Sequence, residues 1–234
     1  MFVSRKKKKG VLGSFGLHAI AEVVTVESEA KELADVLKEM SRILKKVSSK
    51  VYEASSEAFK EAMMETGVSE WAVPSLFRPT IVFTVDAPLS SLAYAVEKGV
   101  DDTYVHEFML NILDESSFDQ GEVNMIQKLI PIADPRVIKK YSPELKTALK
   151  EVSSVLYGIK AAADTALRRC SKLLGRKAAY FSCMARNLRT ELPRIRRDAE
   201  MINPEEIKKE LKEVYKAVLE HGKKYGLGRE PYWY

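Results

Sequence analysis

Leu37-Lys38-Glu39-Met40-Ser41-Arg42-Ile43-Leu44-Lys45-Lys46-Val47-Ser48-Ser49-Lys50-Val51 repeats its apolar residues at alternating steps of three and four. Leu37, Met40, Leu44, Val47 and Val51 open the series, and Ala54 and Ala58 continue it. Leu33 and Ala62 extend it less strictly. An average step of roughly 3.5 residues holds one seam on one side of an α-helix, the a/d pattern of a coiled coil or helical bundle. The pattern predicts one long helix over 27–65. Glu27, Glu29 and Glu32 suit its first turns, where the helix dipole favours acids. Gly67 is its stop signal. A rod of that length, roughly 58 Å at ~1.5 Å per residue, is long for a compact domain. The seam residues Leu37, Met40, Leu44, Val47 and Val51 are therefore expected at an interface between copies of the chain.

Downstream, Pro74, Pro79 and Pro88 punctuate a connector that contains the β-branched run 80–85. That run is at most a short β segment, because a lone strand has nothing to pair with. Short helices are expected near 89–98, 101–114 and 120–130, with Asp101 capping the second. Ser142-Pro143 reads as a helix start with serine at the N-cap and proline at the first helical position, running to about 174. Gly175 breaks it. A further helix covers about 177–191 and ends at Pro193, and a last one covers about 204–221, opened by Asn203-Pro204. The expected fold is mainly α, an elongated helical bundle with one long heptad helix and a basic helical hairpin. Four segments follow: a basic N-terminal arm (1–26), the long helix with its connector (27–88), an acidic short-helix region (89–141), and the hairpin, last helix and aromatic tail (142–234).

Charge is distributed unevenly along this frame. Between 168 and 197 stand Arg168, Arg169, Lys172, Arg176, Lys177, Arg186, Arg189, Arg194, Arg196 and Arg197, opposed only by Glu191. Eight of these ten cations are arginine, whose planar fork matches phosphate and carboxylate. Lys6, Lys7, Lys8 and Lys9 follow Arg5 in a second cluster. The formal net charge of the whole chain is only +5, so acids collect elsewhere. Between 101 and 122 there are acids and no lysine or arginine. Helical periodicity turns the hairpin arginines away from apolar residues, the arrangement needed to track a phosphate backbone. Tyr180 and Phe181 have the chemistry to stack on bases, but large residues on an amphipathic helix usually belong to the core. The plainer alternative for the arginines is ion pairing, with 101–122 as the obvious source of carboxylates.

Composition bounds the rest. The chain has 234 residues, 46% hydrophobic and 30% charged, a globular rather than disordered balance. Only six residues are Asn or Gln, and few amides with many charges is a thermophile's composition. Cys170 and Cys183 flank Gly175 and are either a disulfide across the hairpin or two small buried thiols. The apolar stretch after Lys9 is broken by glycines and His18, and no segment reaches the length of a membrane span, so no integral membrane association is expected. His18, His106 and His221 fit no metal-ligand spacing, and no phosphate-loop, dinucleotide or serine-nucleophile motif is present. Neither catalytic nor metal-ligand residues are inferred, and no cofactor or small-molecule substrate. Tyr232, Trp233 and Tyr234 are aromatic anchors of the type found at interfaces.

These features point to a self-assembling structural protein, architectural or nucleocapsid-like, that binds a DNA or RNA backbone without sequence preference. Its setting would be the cytoplasm or a virion, with secretion as the open alternative. The alternative is a helical scaffold or filament subunit that assembles through protein contacts alone.

Overall fold

The computed structural model describes residues 13–69, 86–114 and 135–224. Among them are seven α-helices and no strand: α1 (Gly13–Thr66), α2 (Asp86–Glu97), α3 (Asp102–Leu113), α4 (Pro135–Ala148), α5 (Lys150–Cys170), α6 (Lys177–Met201) and α7 (Pro204–Lys224). A single 3₁₀ turn, Ser171–Leu173, separates α5 from α6. The fold is mainly α, a helical bundle laid along one long rod. The lysines of the N-terminal cluster, the run 80–85, the helix expected near 120–130 and the aromatic residues 232–234 lie outside the described residues.

The heptad seam organises everything else. Leu37, Met40, Leu44, Val47, Val51 and Ala58 are fully buried, and Ala54 nearly so. They are buried inside a single chain, beneath α2, α6 and α7, which pack along α1. The expectation that Leu37, Met40, Leu44, Val47 and Val51 form an interface between copies is therefore corrected: they are core. An a/d seam demands a partner helix but does not say whether that helix lies in the same chain.

The partner is a relay of two helices. Glu32 meets Arg189 and Glu39 meets Arg196. Further along, Glu57 and Glu61 hold Lys208, Glu61 and Glu65 hold Lys212, and Glu65 holds Lys216. Numbers rise together on both sides, so α6 and then α7 run parallel to α1. At the junction between them, Lys50 reaches across and donates to the carbonyls of Ala199 and Ile202 at 3.2 and 3.3 Å. A cation there complements the negative end of the α6 dipole. Lys223 does the same for α1 through the Thr66 carbonyl.

Local signals explain several boundaries. Gly67 has φ +65°, and the Val68 and Gly67 amides bond back to the Met63 and Met64 carbonyls at 3.1 and 3.3 Å. That is a Schellman end, which needs a left-handed residue. Asn203 caps α7 by accepting from the Glu205 amide at 3.1 Å, as an N-cap side chain should. Other expectations are overturned. α1 starts at Gly13, well before Glu27, because extending a formed helix avoids the cost of nucleation; much of the segment read as an arm is helix. Asp101 stands at the N-cap of α3 but makes no side-chain cap bond. Pro143 and Pro193 lie inside α4 and α6 rather than starting or ending helices. Both prolines are exposed, so water can reach the carbonyls they leave unpaired. Buried neighbours such as Leu145, and Leu192 with Ile195, hold the two helices onto the core, which offsets a cost of about 3 kcal/mol.

One polar pair crosses the core. The Ser55 and Tyr215 hydroxyls lie 2.6 Å apart, both side chains fully buried. Burial pushes the Tyr215 ionisation up, so the ring stays neutral. Ser55→Ala is expected to lose about 1–3 kcal/mol by stranding the Tyr215 hydroxyl, and Tyr215→Phe in that background to recover part of it. A denaturant-melt double-mutant cycle measures both; strictly additive losses would contradict the coupling.

The ion-pair ladder gives a pH signature. Hydrogen bonds from Lys208 and Lys216 lead in holding the Glu61 and Glu65 carboxyls below their ordinary range. Lys208, Lys212 and Lys216 are raised in turn, chiefly by hydrogen bonds to Glu61, for Lys208, and to Glu65, for the other two. A carboxylate with a lowered folded-state pKa stabilises above its ordinary value and loses that stabilisation as pH falls through the lowered one. Raised lysines act oppositely and lose theirs only in strong base. Melting temperature should therefore fall on acidification below the ordinary carboxylate range, and fall less steeply in a Glu61→Gln, Glu65→Gln double variant. Parallel pH profiles for the two proteins would refute the ladder's role.

Candidate nucleic-acid interface

α5 and α6 form the hairpin that carries the arginines. Val152, Val155, Ile159, Ala163 and Leu167 of α5 face the core. Tyr180, Phe181, Met184, Leu188, Leu192, Ile195 and Ala199 do so from α6. Gly158 of α5 sits under α6: a Cβ there would meet Ile195 Cγ1 at 3.7 Å and Arg194 Nη2 at 4.0 Å. The turn itself requires Gly175, which has φ +82° in a region other residues avoid.

Two devices fix this turn. Cys170 and Cys183 are disulfide-bonded across it, which resolves the two alternatives left by the sequence. Asp102, buried at the start of α3, accepts the Gly175 amide at 2.7 Å. Next to it, the Lys177 ammonium donates to the Gly99 carbonyl at 2.7 Å and lies 3.9 Å from Asp101. Asp101 and Asp102 of the acidic region thus anchor the hairpin's tip.

Tyr180 and Phe181 are fully buried, so they are core and cannot stack on bases. The Tyr180 hydroxyl is 3.0 Å from His106 Nδ1. Burial first, and the Asp102 charge second, push its ionisation well above the ordinary phenol range.

The ten cations fall into distinct groups. All are exposed except Lys177, which is half-buried. Arg189 and Arg196 lie on the flank of α6 facing α1 and pair with Glu32 and Glu39. Arg194, on the flank facing α5, is 3.4 Å from Glu191. Arg169 donates to Asn187 Oδ1 at 2.9 Å, while Asn187 Nδ2 donates to the Cys183 carbonyl at 2.9 Å. Arg168, Lys172, Arg176, Arg186 and Arg197 have no ion-pair partner among the described residues. Helical geometry puts Arg186 and Arg197 on the side of α6 opposite its core stripe, about 16 Å apart along the axis. Arg168, Lys172 and Arg176 continue the unpaired set around the hairpin tip.

Sequence reasoning located the cations but missed which were neutralised. The signal was present: Glu32 and Glu39 are seven residues apart, and so are Arg189 and Arg196. That is one heptad on each of two parallel helices, the spacing of flanking charges on a coiled coil. The carboxylates that meet Arg189 and Arg196 come from α1. Among the described residues no group of three His, Cys, Asp or Glu is placed to hold a metal ion, and no helix is long and apolar enough to cross a membrane. Comparison of the chain with protein-family models, with curated proteins and with solved structures finds no match in any of the three.

Closing a loop of this size should stabilise the fold by about 3 kcal/mol. Reduction, or a Cys183→Ser variant, is expected to lose that amount in a denaturant melt. Equal midpoints for the oxidised and reduced protein would show that the hairpin does not need its bridge.

Proposed function

We propose that this chain binds a nucleic-acid backbone, without sequence preference, along the outer face of the α5–α6 hairpin. The observation that carries the reading is the set Arg168, Lys172, Arg176, Arg186 and Arg197, exposed and without a carboxylate among the described residues. Exposed arginines beside a run of acids would ordinarily pair with them; here the acids of α1 take Arg189 and Arg196 and leave the outermost row open. Such a row neutralises phosphates and releases their counterions, a term that is blind to base identity. Tyr180 and Phe181 lie in the core, so neither offers a platform for reading or stacking bases. Contacts to phosphate alone position a protein on nucleic acid and do not select a sequence.

Self-assembly is not carried forward on the heptad seam, since those residues are core. The alternative, a scaffold held by arginines against a neighbour's acids, would draw on the same open cations; within the chain Asp101 and Asp102 face the hairpin tip, and Glu32 and Glu39 pair with Arg189 and Arg196.

Each of the five cations that contacts phosphate should contribute about 0.9 to the slope of log affinity against log salt on duplex DNA. A variant with all five changed to glutamine is expected to lose most binding to every sequence alike and to flatten that slope, with an unchanged melting temperature. Fluorescence anisotropy with labelled duplexes measures both affinity and slope. Undiminished binding by the variant would place the interface elsewhere.

A further inference from the structure

Between α1 and α6 lies an open groove of about 260 Å³ lined by Glu32, Ser182, Arg186, Arg189 and Thr190. Ser182, Arg186 and Thr190 recur every four residues on α6, and Arg189 lies three residues beyond Arg186. They therefore form one row along the groove wall. Two guanidinium forks and two hydroxyls in one recess is the donor set of an oxyanion site.

The groups differ in what they already hold. Thr190 Oγ1 donates to the Arg186 carbonyl at 2.9 Å, so its proton is engaged. The Ser182 hydroxyl and the Arg186 guanidinium have no partner among the described residues. Arg189 is held by Glu32, whose side chain is 38% exposed. The groove thus contains an anion of its own, a carboxylate on one of its two arginines.

We infer that this groove is a phosphate subsite, in which Arg186, Arg189 and the Ser182 hydroxyl hold one phosphate group and Glu32 is the carboxylate that phosphate displaces. A phosphate suits the recess better than a carboxylate does. It offers oxygens to both forks and a further one to the serine, where a carboxylate has only two. Displacing Glu32 is easy because exposed ion pairs of this kind are weak and the freed carboxylate swings into water. Glu32 therefore sets the affinity of the groove without closing it. The inference rests on the nucleic-acid reading only for its phosphate source: free phosphate would give each of the three donors its own anionic oxygen, and a backbone phosphodiester would span the two forks with its two non-bridging oxygens and leave an ester oxygen to the serine.

The test uses the full-length chain and Glu32→Gln, with Glu57→Gln as a control. Glu57 pairs with Lys208 on α7, so the control makes the same charge change away from the groove. On duplex DNA, Glu32→Gln should bind roughly two- to fivefold tighter than the wild type, at a similar salt slope, because the same phosphate is held in both. Ser182→Ala should weaken binding in that background. Glu57→Gln should leave both affinity and slope near wild type. Wild-type binding with no difference between Glu32→Gln and Glu57→Gln would overturn the subsite while leaving the nucleic-acid reading intact. A parallel titration with sodium pyrophosphate, followed by amide chemical shifts, decides the groove without nucleic acid. Shifts at Ser182, Arg186 and Thr190 that strengthen in Glu32→Gln support the subsite even if DNA does not bind, and their absence overturns it.

Discussion

The register between α1 and the α6–α7 relay is the constraint on which the structure depends. One long helix presents an apolar seam from Leu33 to Ala62 and, beside it, carboxylates at Glu32, Glu39, Glu57, Glu61 and Glu65. Two shorter helices laid end to end match both features along its length. The apolar seam supplies the driving force, since burial of large side chains dominates folding energetics. The charged edge adds little energy per pair at the surface, but a one-turn slip would misalign every pair at once. Lys50 closes the gap where one helix of the relay ends and the next begins.

That register also decides what the arginines are free to do. α6 has three sides that matter. Its core stripe holds it on α1 and α5. Its inner flank is neutralised by Glu32 and Glu39. Its outer row, with Arg186 and Arg197, faces solvent. Arg196 and Arg197 are adjacent in sequence, yet one meets a carboxylate and the other none among the described residues. The disulfide, Gly175 and the Asp102 contact hold the hairpin tip in place, so its cations are presented on rigid backbone. Preorganised cations lose less freedom on binding than mobile ones do.

Much of this was legible in the sequence, and the reasons for the rest are physical. The seam from Leu37 to Ala58, the Gly67 stop, the Asn203 cap and the Gly175 turn each follow from local chemistry, and each stands in the structure. The two interior prolines were misread because their cost is local and the packing that offsets it is not: Leu192 and Ile195 find their neighbours only once α6 lies on α1. The seam was assigned to the wrong partner for the same reason, as its complement lies some 150 residues further along the chain. The cations of the hairpin were visible at once. Their division into paired and open sets needed the helices to be set in parallel, although the shared seven-residue spacing of Glu32–Glu39 and Arg189–Arg196 already encoded it.

The most direct measurement on the central claim is the affinity of the full-length protein for several unrelated duplexes across a range of salt concentrations. A backbone-tracking hairpin predicts superimposable isotherms, with log affinity falling linearly in log salt at a common slope of about −4 to −5 for five phosphate contacts. Isotherms that separate by sequence, or no binding at 50 mM salt or below, would contradict it.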